Sequence, residues 1–153
     1  MTRLAQAEGA CFQLVVSGSH LSASGGQTEN QIIRDGFEVF ERVEVLLDGG
    51  GEASVYTAMG LGLLRYGDVL VRLQPDIVVV LGDRFEAFAF AAAATVCRVP
   101  IAHIHGGELT LGAKDDAFRH AITKMSHLHF AATEEYRRRI IQLGERQDRG
   151  QIF

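Results

Sequence analysis

The sequence predicts an α/β fold built on a parallel sheet, and three observations carry that prediction. Short apolar runs alternate along the chain with segments of helical period. One run, PDIVVVLGD from Pro75 to Asp83, is apolar at consecutive positions, as expected of a parallel strand covered on both faces. A nearly all-apolar segment, Phe85 to Cys97, follows directly and reads as a helix buried on most sides.

The elements follow in order. Phe12 to Ser17 (FQLVVS) is a short apolar run closed by Gly18, the pattern of a buried strand, and a Gly/Ser-rich loop, SGSHLSASGGQTEN, comes next. Glu38 to Leu47 alternates apolar and charged positions, which predicts a half-exposed strand, and Gly-Gly-Gly at 49–51 punctuates it. A helical period runs from Glu52 to about Leu73 and stops before Pro75. After PDIVVVLGD and the apolar helix, Pro100 opens a strand, PIAHIH. A helix is predicted from Asp115 to about Ser126, a short strand from His127 to Ala132, and a polar-faced helix from Glu134 to about Leu143. No internal repeat or linker interrupts the pattern, so one domain is expected.

Bulk properties narrow the function. At 153 residues the chain can bury a sizeable core. A net charge of -4 and a pI near 5.8, with no basic stripe, argue against a nucleic-acid partner. The two cysteines, Cys11 and Cys97, sit far apart in apolar contexts and read as reduced, buried thiols. The N-terminus lacks a signal-peptide apolar region, and the longest apolar run is too short to span a bilayer. A soluble, cytoplasmic protein with no membrane partner is the expectation.

Chemistry concentrates in residues 103–120, HIHGGELTLGAKDDAFRH. In a doubly wound sheet, ligands sit beyond the carboxyl ends of the strands. Gly82-Asp83-Arg84, His105-Gly106-Gly107-Glu108 and Gly18-Ser19-His20 all fall at such ends. Strand alternation places His103 and His105 on one face, and the Gly-Gly permits a tight turn close to a ligand. On a helix from Asp115, one arc carries Asp115, Asp116, Arg119, His120 and Thr123 and faces the cleft or solvent; Ala117, Phe118, Ala121, Ile122 and Met125 form the packing arc.

Each feature has a plainer reading. Asp115 and Asp116 suit a helix N-terminus, and Asp115 with Arg119 suits an i,i+4 ion pair. Asp83-Arg84 suits a helix cap, although the arginine beside a helix start also suits an anion such as phosphate. His103 and His105 could bind a metal, but the carboxylate and thiolate spacing is weak, so none is expected. His127 and His129 read as structural, and Tyr136 to Arg139 as a solvated helix face. The absence of G-x-G-x-x-G and of G-x-x-x-x-G-K-[ST] disfavours a dinucleotide dehydrogenase or P-loop NTPase.

Five ordered motifs, LVVSGSHLS, PDIVVVLGDRFE, PIAHIHGGE, DDAFRHAITKMSHLHF and ATEEYRRRIIQLGE, resemble the hydrolysing UDP-N-acetylglucosamine 2-epimerases of the sialic acid branch, from about Phe12 to Glu145. The resemblance implies a Rossmann-like parallel sheet, one half of a GT-B-type two-domain architecture lacking the first strand, with no cofactor. It implies conversion of UDP-GlcNAc and water to ManNAc and UDP by C2 proton removal, C1–O cleavage to a glycal, and hydration. Related sugar nucleotides of the bacillosamine type, and a non-catalytic dimerising remnant, are the alternative readings. Motif matching carries acid/base roles to Asp83 and Asp115, and substrate contacts to Arg84, Arg119 and His120; His20 joins the substrate contacts from its place at a strand end. Relatives that read H-I-E-G-G-E place a glutamate where this chain has His105, so proton transfer falls on either His105 or Glu108. The missing first strand and second domain imply a fragment, inactive alone and expected to self-associate, re-pair its strands or be marginally stable.

Overall fold

The computed structural model describes residues 1–22, 28–47, 51–110 and 115–153. Parts of the Gly/Ser-rich loop, Gly49 and Gly50 of the triglycine, and Lys114 with the three residues before it lie outside them. The chain divides into two compact units, Met1–Asp48 and Gly49–Phe153, with the boundary at the triglycine.

The first unit holds α1 (Thr2–Ala5), β1 (Val15–Ser17), a 3-10 turn (Gly18–His20), α2 (Glu29–Arg34) and β2 (Glu41–Val43). β1 and β2 pair in parallel, Val16 and Val43 are buried, and the Ser17 hydroxyl donates to the Val43 carbonyl at 2.6 Å. Cys11 is exposed, against the expectation of a buried thiol, because it precedes β1 in irregular chain; Cys97 is half-buried, and both are free.

The second unit carries the longer alternation: α3 (Glu52–Leu73), β3 (Val78–Leu81), α4 (Phe85–Val96), β4 (Ile101–Ile104), α5 (Asp115–Met125), β5 (Leu128–Phe130) and α6 (Glu134–Gln142). The sheet is parallel in the order β3-β4-β5, with Val80 opposite His103 and His103 opposite His129. Ile152 extends it by bridging to His129. β1 and β3 lie in separate sheets.

α3 ends on Gln74, whose left-handed backbone (φ 46) stops the helix directly before Pro75. It packs on α4, where the Tyr66 ring meets Phe90 edge-on at 5.3 Å. Alanines 89, 91, 93 and 94 bury the α4 face, small enough for helix and sheet to approach closely. Phe88 of α4 lies 5.1 Å from Phe118 of α5. β3 departs from its pattern: Val78 and Val80 are buried, whereas Val79 and Leu81 are 45% and 65% exposed, so only one face of this strand is covered. No described helix is long and apolar enough to cross a membrane.

Candidate functional site at the strand ends

β3 and β4 each end in a turn that sends polar groups beyond the sheet. β3 runs into Gly82 (φ 79), which turns the chain so that Asp83 and Arg84 precede α4. Asp83 does not cap the helix; Arg84 occupies the N-cap position without a side-chain cap bond. β4 ends at Ile104, and His105 adopts φ 65, a left-handed conformation rare for a residue with a Cβ. The turn that follows is pressed into the fold. A Cβ on Gly106 would sit 3.1 Å from the His103 ring and 3.2 Å from the Thr123 hydroxyl; one on Gly107 (φ 77) would collide with the Tyr136 carbonyl.

Arg119 is the hub of the site. It is 5% exposed, and its guanidinium donates through one terminal nitrogen to the His105 carbonyl (3.1 Å) and Glu108 Oε2 (3.2 Å). The other terminal nitrogen donates to Asp83 Oδ2 and to the Thr110 hydroxyl (3.1 Å). Its Nε lies 4.0 Å from Asp116, which in turn accepts from the Thr110 backbone N–H at 2.9 Å. A buried guanidinium needs compensation for lost hydration, and three carboxylates around it supply that.

The packing arc of α5 holds Ile122 and Phe118 as expected, while its polar arc is buried against the strand ends rather than solvated. Arg119, Thr123 and Ile122 are buried while Ala117 is exposed, because α5 lies over the strand ends and turns its polar arc onto them. The expected i,i+4 pairing of Asp115 with Arg119 gives way to tertiary partners.

His105 Nδ1 donates to Glu108 Oε1 at 2.5 Å, and the imidazole is about half exposed (47%). His103 and His105 do not share a face: the left-handed turn at His105 breaks the alternation, and His103 is fully buried. His103 Nε2 donates to the Gly82 carbonyl at 2.8 Å, and Nδ1 lies 3.2 Å from the Thr123 hydroxyl. Since a carbonyl only accepts, Nε2 carries the proton; the Thr123 hydroxyl beside Nδ1 donates to the Arg119 carbonyl at 3.0 Å. Burial lowers the His103 pKa to about 4, against the smaller opposing effect of the Gly82 bond.

Arg84, with its side chain 60% exposed, is held by Glu86 through two hydrogen bonds of 3.2 and 3.3 Å. Those bonds raise its pKa; desolvation opposes them, and Asp115 and Asp83 add to the rise. Asp115 sits half-buried in the first turn of α5. His120 follows Arg119, with Nδ1 buried and lacking a hydrogen-bond partner among the described residues. His20 belongs to the first unit, where its Nδ1 lies 2.6 Å from the Thr28 hydroxyl. Among the described residues no group of three or more His, Cys, Asp or Glu side chains could hold a metal ion.

Thr110 is the member of this network to which the sequence does not point; Asp116 and Thr123 share the arc of α5 that it turns toward the cleft. Asp116 also lies one turn before Arg119, whereas Thr110 joins only through its tertiary bonds to Arg119 and Asp116.

A parallel α/β unit whose strand ends gather carboxylates, an imidazole and arginines defines the class: a Rossmann-like fold with a polar site at the carboxyl edge of the sheet. The profile of the UDP-N-acetylglucosamine 2-epimerase family matches residues 2–153, and the chain belongs to that family. It is 41% identical over 138 residues to the GDP/UDP-N,N'-diacetylbacillosamine 2-epimerase (hydrolyzing) of Campylobacter jejuni, covering 90% of this chain and 36% of that protein. It is 40% identical over 142 residues to the polysialic acid biosynthesis protein P7 of Escherichia coli, covering 93% of this chain and 36% of that protein. The fold matches the crystal structure of UDP-GlcNAc 2-epimerase from Neisseria meningitidis bound to UDP-GlcNAc with a TM-score of 0.86 at 18% identity, over 99% of this chain and 40% of that one. The chain thus spans well under half the length of these relatives.

Proposed function

We propose that this chain supplies the acid/base half of a hydrolysing 2-epimerase acting on a UDP-linked 2-acetamido sugar. The observation that carries the reading is the convergence on Arg119 of Asp83 from the end of β3 and Glu108 from the turn after β4, with His105 on Glu108. The reaction needs a base to take the C2 proton. The C–H electron pair becomes the C1–C2 double bond while the C1–O bond breaks and UDP leaves; water then adds at C1 as a proton returns to C2 from the other face. Such chemistry calls for acid and base groups on two sides of one sugar and for cations near the diphosphate.

In this reading Asp83, Asp115 and the His105/Glu108 pair are the acid/base groups. Arg84 meets the diphosphate, with Arg119, His120 and His20 lining the substrate. The exposed Arg84 guanidinium, beside the uncapped start of α4, suits an anion. Both UDP-GlcNAc, the sialic acid route, and UDP-N,N'-diacetylbacillosamine fit, and the Campylobacter relative favours the second as strongly as the Escherichia relative favours the first. No resident cofactor is required by this chemistry, and a homo-oligomer working in the cytoplasm is the expected setting.

The test is UDP release from both sugar nucleotides by the chain alone and by a chimaera that supplies a relative's remaining length. Release by the chimaera, lost in Asp83→Asn, supports the reading. A folded chimaera that releases UDP from neither substrate refutes it.

A further inference from the structure

The pair His105 and Glu108 poses a choice, since either could carry a proton, and the geometry separates them. Glu108 has both carboxylate oxygens committed, Oε1 to the His105 ring and Oε2 to the buried Arg119 guanidinium. Each oxygen keeps a second lone pair, but a proton taken up by Glu108 would weaken its pairing with the buried Arg119 guanidinium, which makes it the poorer carrier. His105 has one ring nitrogen committed, while Nε2 has no hydrogen-bond partner among the described residues and belongs to a side chain that is half exposed.

The carboxylate only accepts, so the His105 proton sits on Nδ1 and the Nε2 lone pair is open. The backbone agrees. A left-handed φ of 65 at a residue with a Cβ costs energy, and here it turns the imidazole out of the sheet that buries His103 two residues earlier. The Arg119 bond to the His105 carbonyl secures that turn from the other side.

We propose that His105 Nε2 is the atom that exchanges the proton with the sugar, and that Glu108 is a positioning residue that fixes the imidazole's tautomer and is itself fixed by Arg119. This rests on the reading under Proposed function. In the elimination step the neutral imidazole takes the C2 proton at Nε2 and becomes imidazolium, the C–H pair forms the C1–C2 bond, and UDP departs with the C1–O pair. Glu108 stays ionised and stabilises the imidazolium, the division of labour of an orienting carboxylate and its histidine.

The first test needs no turnover. Long-range proton–nitrogen NMR of the 153-residue chain should show His105 as the Nδ1–H tautomer, and Glu108→Gln, whose amide can donate, should shift it toward Nε2–H. An Nε2–H tautomer in the unmodified chain, or one indifferent to Glu108→Gln, overturns the proposal. The second test uses the chimaera. His105→Gln should lower kcat about 100-fold or more with KM little changed, while Glu108→Gln should lower it about 10-fold and Glu108→Asp restore part of the loss. If His105→Gln stays within a few-fold of the parent and Glu108→Gln abolishes turnover, Glu108 carries the proton and the proposal is wrong while the epimerase reading stands. Absence of any turnover in the folded parent chimaera removes both.

Discussion

Asp83, the first residue past the glycine that ends β3, forms an ion pair with Arg119 in the middle of α5, although 36 positions separate them in the chain. The pair ties the carboxyl end of one strand to the helix that follows the next strand. It is also only one of the guanidinium's connections, since Glu108, Thr110 and the His105 carbonyl share it.

Removing the guanidinium should therefore cost far more than a surface ion pair. Arg119→Met leaves the partly buried carboxylates of Asp83, Glu108 and Asp116 without their shared cation, and a loss of about 2–4 kcal/mol in unfolding free energy is expected. Arg119→Lys keeps the charge but cannot fork to both sides, so it should recover part of that. Urea denaturation of the two variants beside the parent measures the effect. A midpoint for Arg119→Met indistinguishable from the parent would mean that the network contributes little to folding.

The buried histidine on β4 predicts a pH dependence. His103 titrates near 4 in the fold against 6.5 for an ordinary imidazole, because burial disfavours its charged form. The unfolded chain then binds more protons between these values, so stability is fully present above pH 6.5 and declines as pH falls toward 4, by about 3 kcal/mol in total. His129, also buried and also lowered by desolvation, acts in the same direction. His103→Gln should flatten the part due to His103, read from urea unfolding at a series of pH values. An unchanged slope in the variant would assign the dependence elsewhere.

Gly107→Ala and Gly82→Ala make a controlled contrast. Both glycines have positive φ near 78, so both substitutions carry the same backbone penalty of about 1 kcal/mol. At Gly82 the new methyl meets open space, whereas at Gly107 it would press on the Tyr136 carbonyl and the Ile140 side chain. Gly107→Ala should cost about 2 kcal/mol more than Gly82→Ala. Equal thermal midpoints for the two would show that α6 yields freely at this point.

β3 offers a test of its single covered face. Leu81→Ser, at a position 65% exposed, should change stability by about 0.5 kcal/mol or less, while Val80→Ser, at 3% exposure, should cost about 2–3 kcal/mol. A large loss from Leu81→Ser would reveal a contact on that face.

Much of this was legible in the sequence where a segment is long or strongly patterned. The strands PDIVVVLGD and PIAHIH, the helix ending before Pro75 and the helix starting at Asp115 all appear close to their expected bounds. The six-residue α2, ENQIIR, was not foreseen, because two apolar positions are too few to establish a period beside a Gly-rich loop. The candidate residues Asp83, His105, Glu108 and Arg119 do meet, but their pairing was hidden. Sequence spacing favours local partners such as Asp115 for Arg119, and only the crossing of α5 over the strand ends makes Asp83 and Glu108 the nearer ones. The exposure of Val79 and Leu81 was equally hidden, since an apolar run looks the same whether or not a neighbour covers its second face.

The anchoring of two carboxylates on one helical side chain also bears on motion. Asp83 belongs to the turn between β3 and α4 and Glu108 to the turn after β4, so any shift of α5 that carries Arg119 would pull on both turns at once. Arg84, gripped by Glu86 instead, rides on α4. Asp83 and Arg84 are neighbours in the chain, so that pull reaches the exposed guanidinium through a single peptide bond.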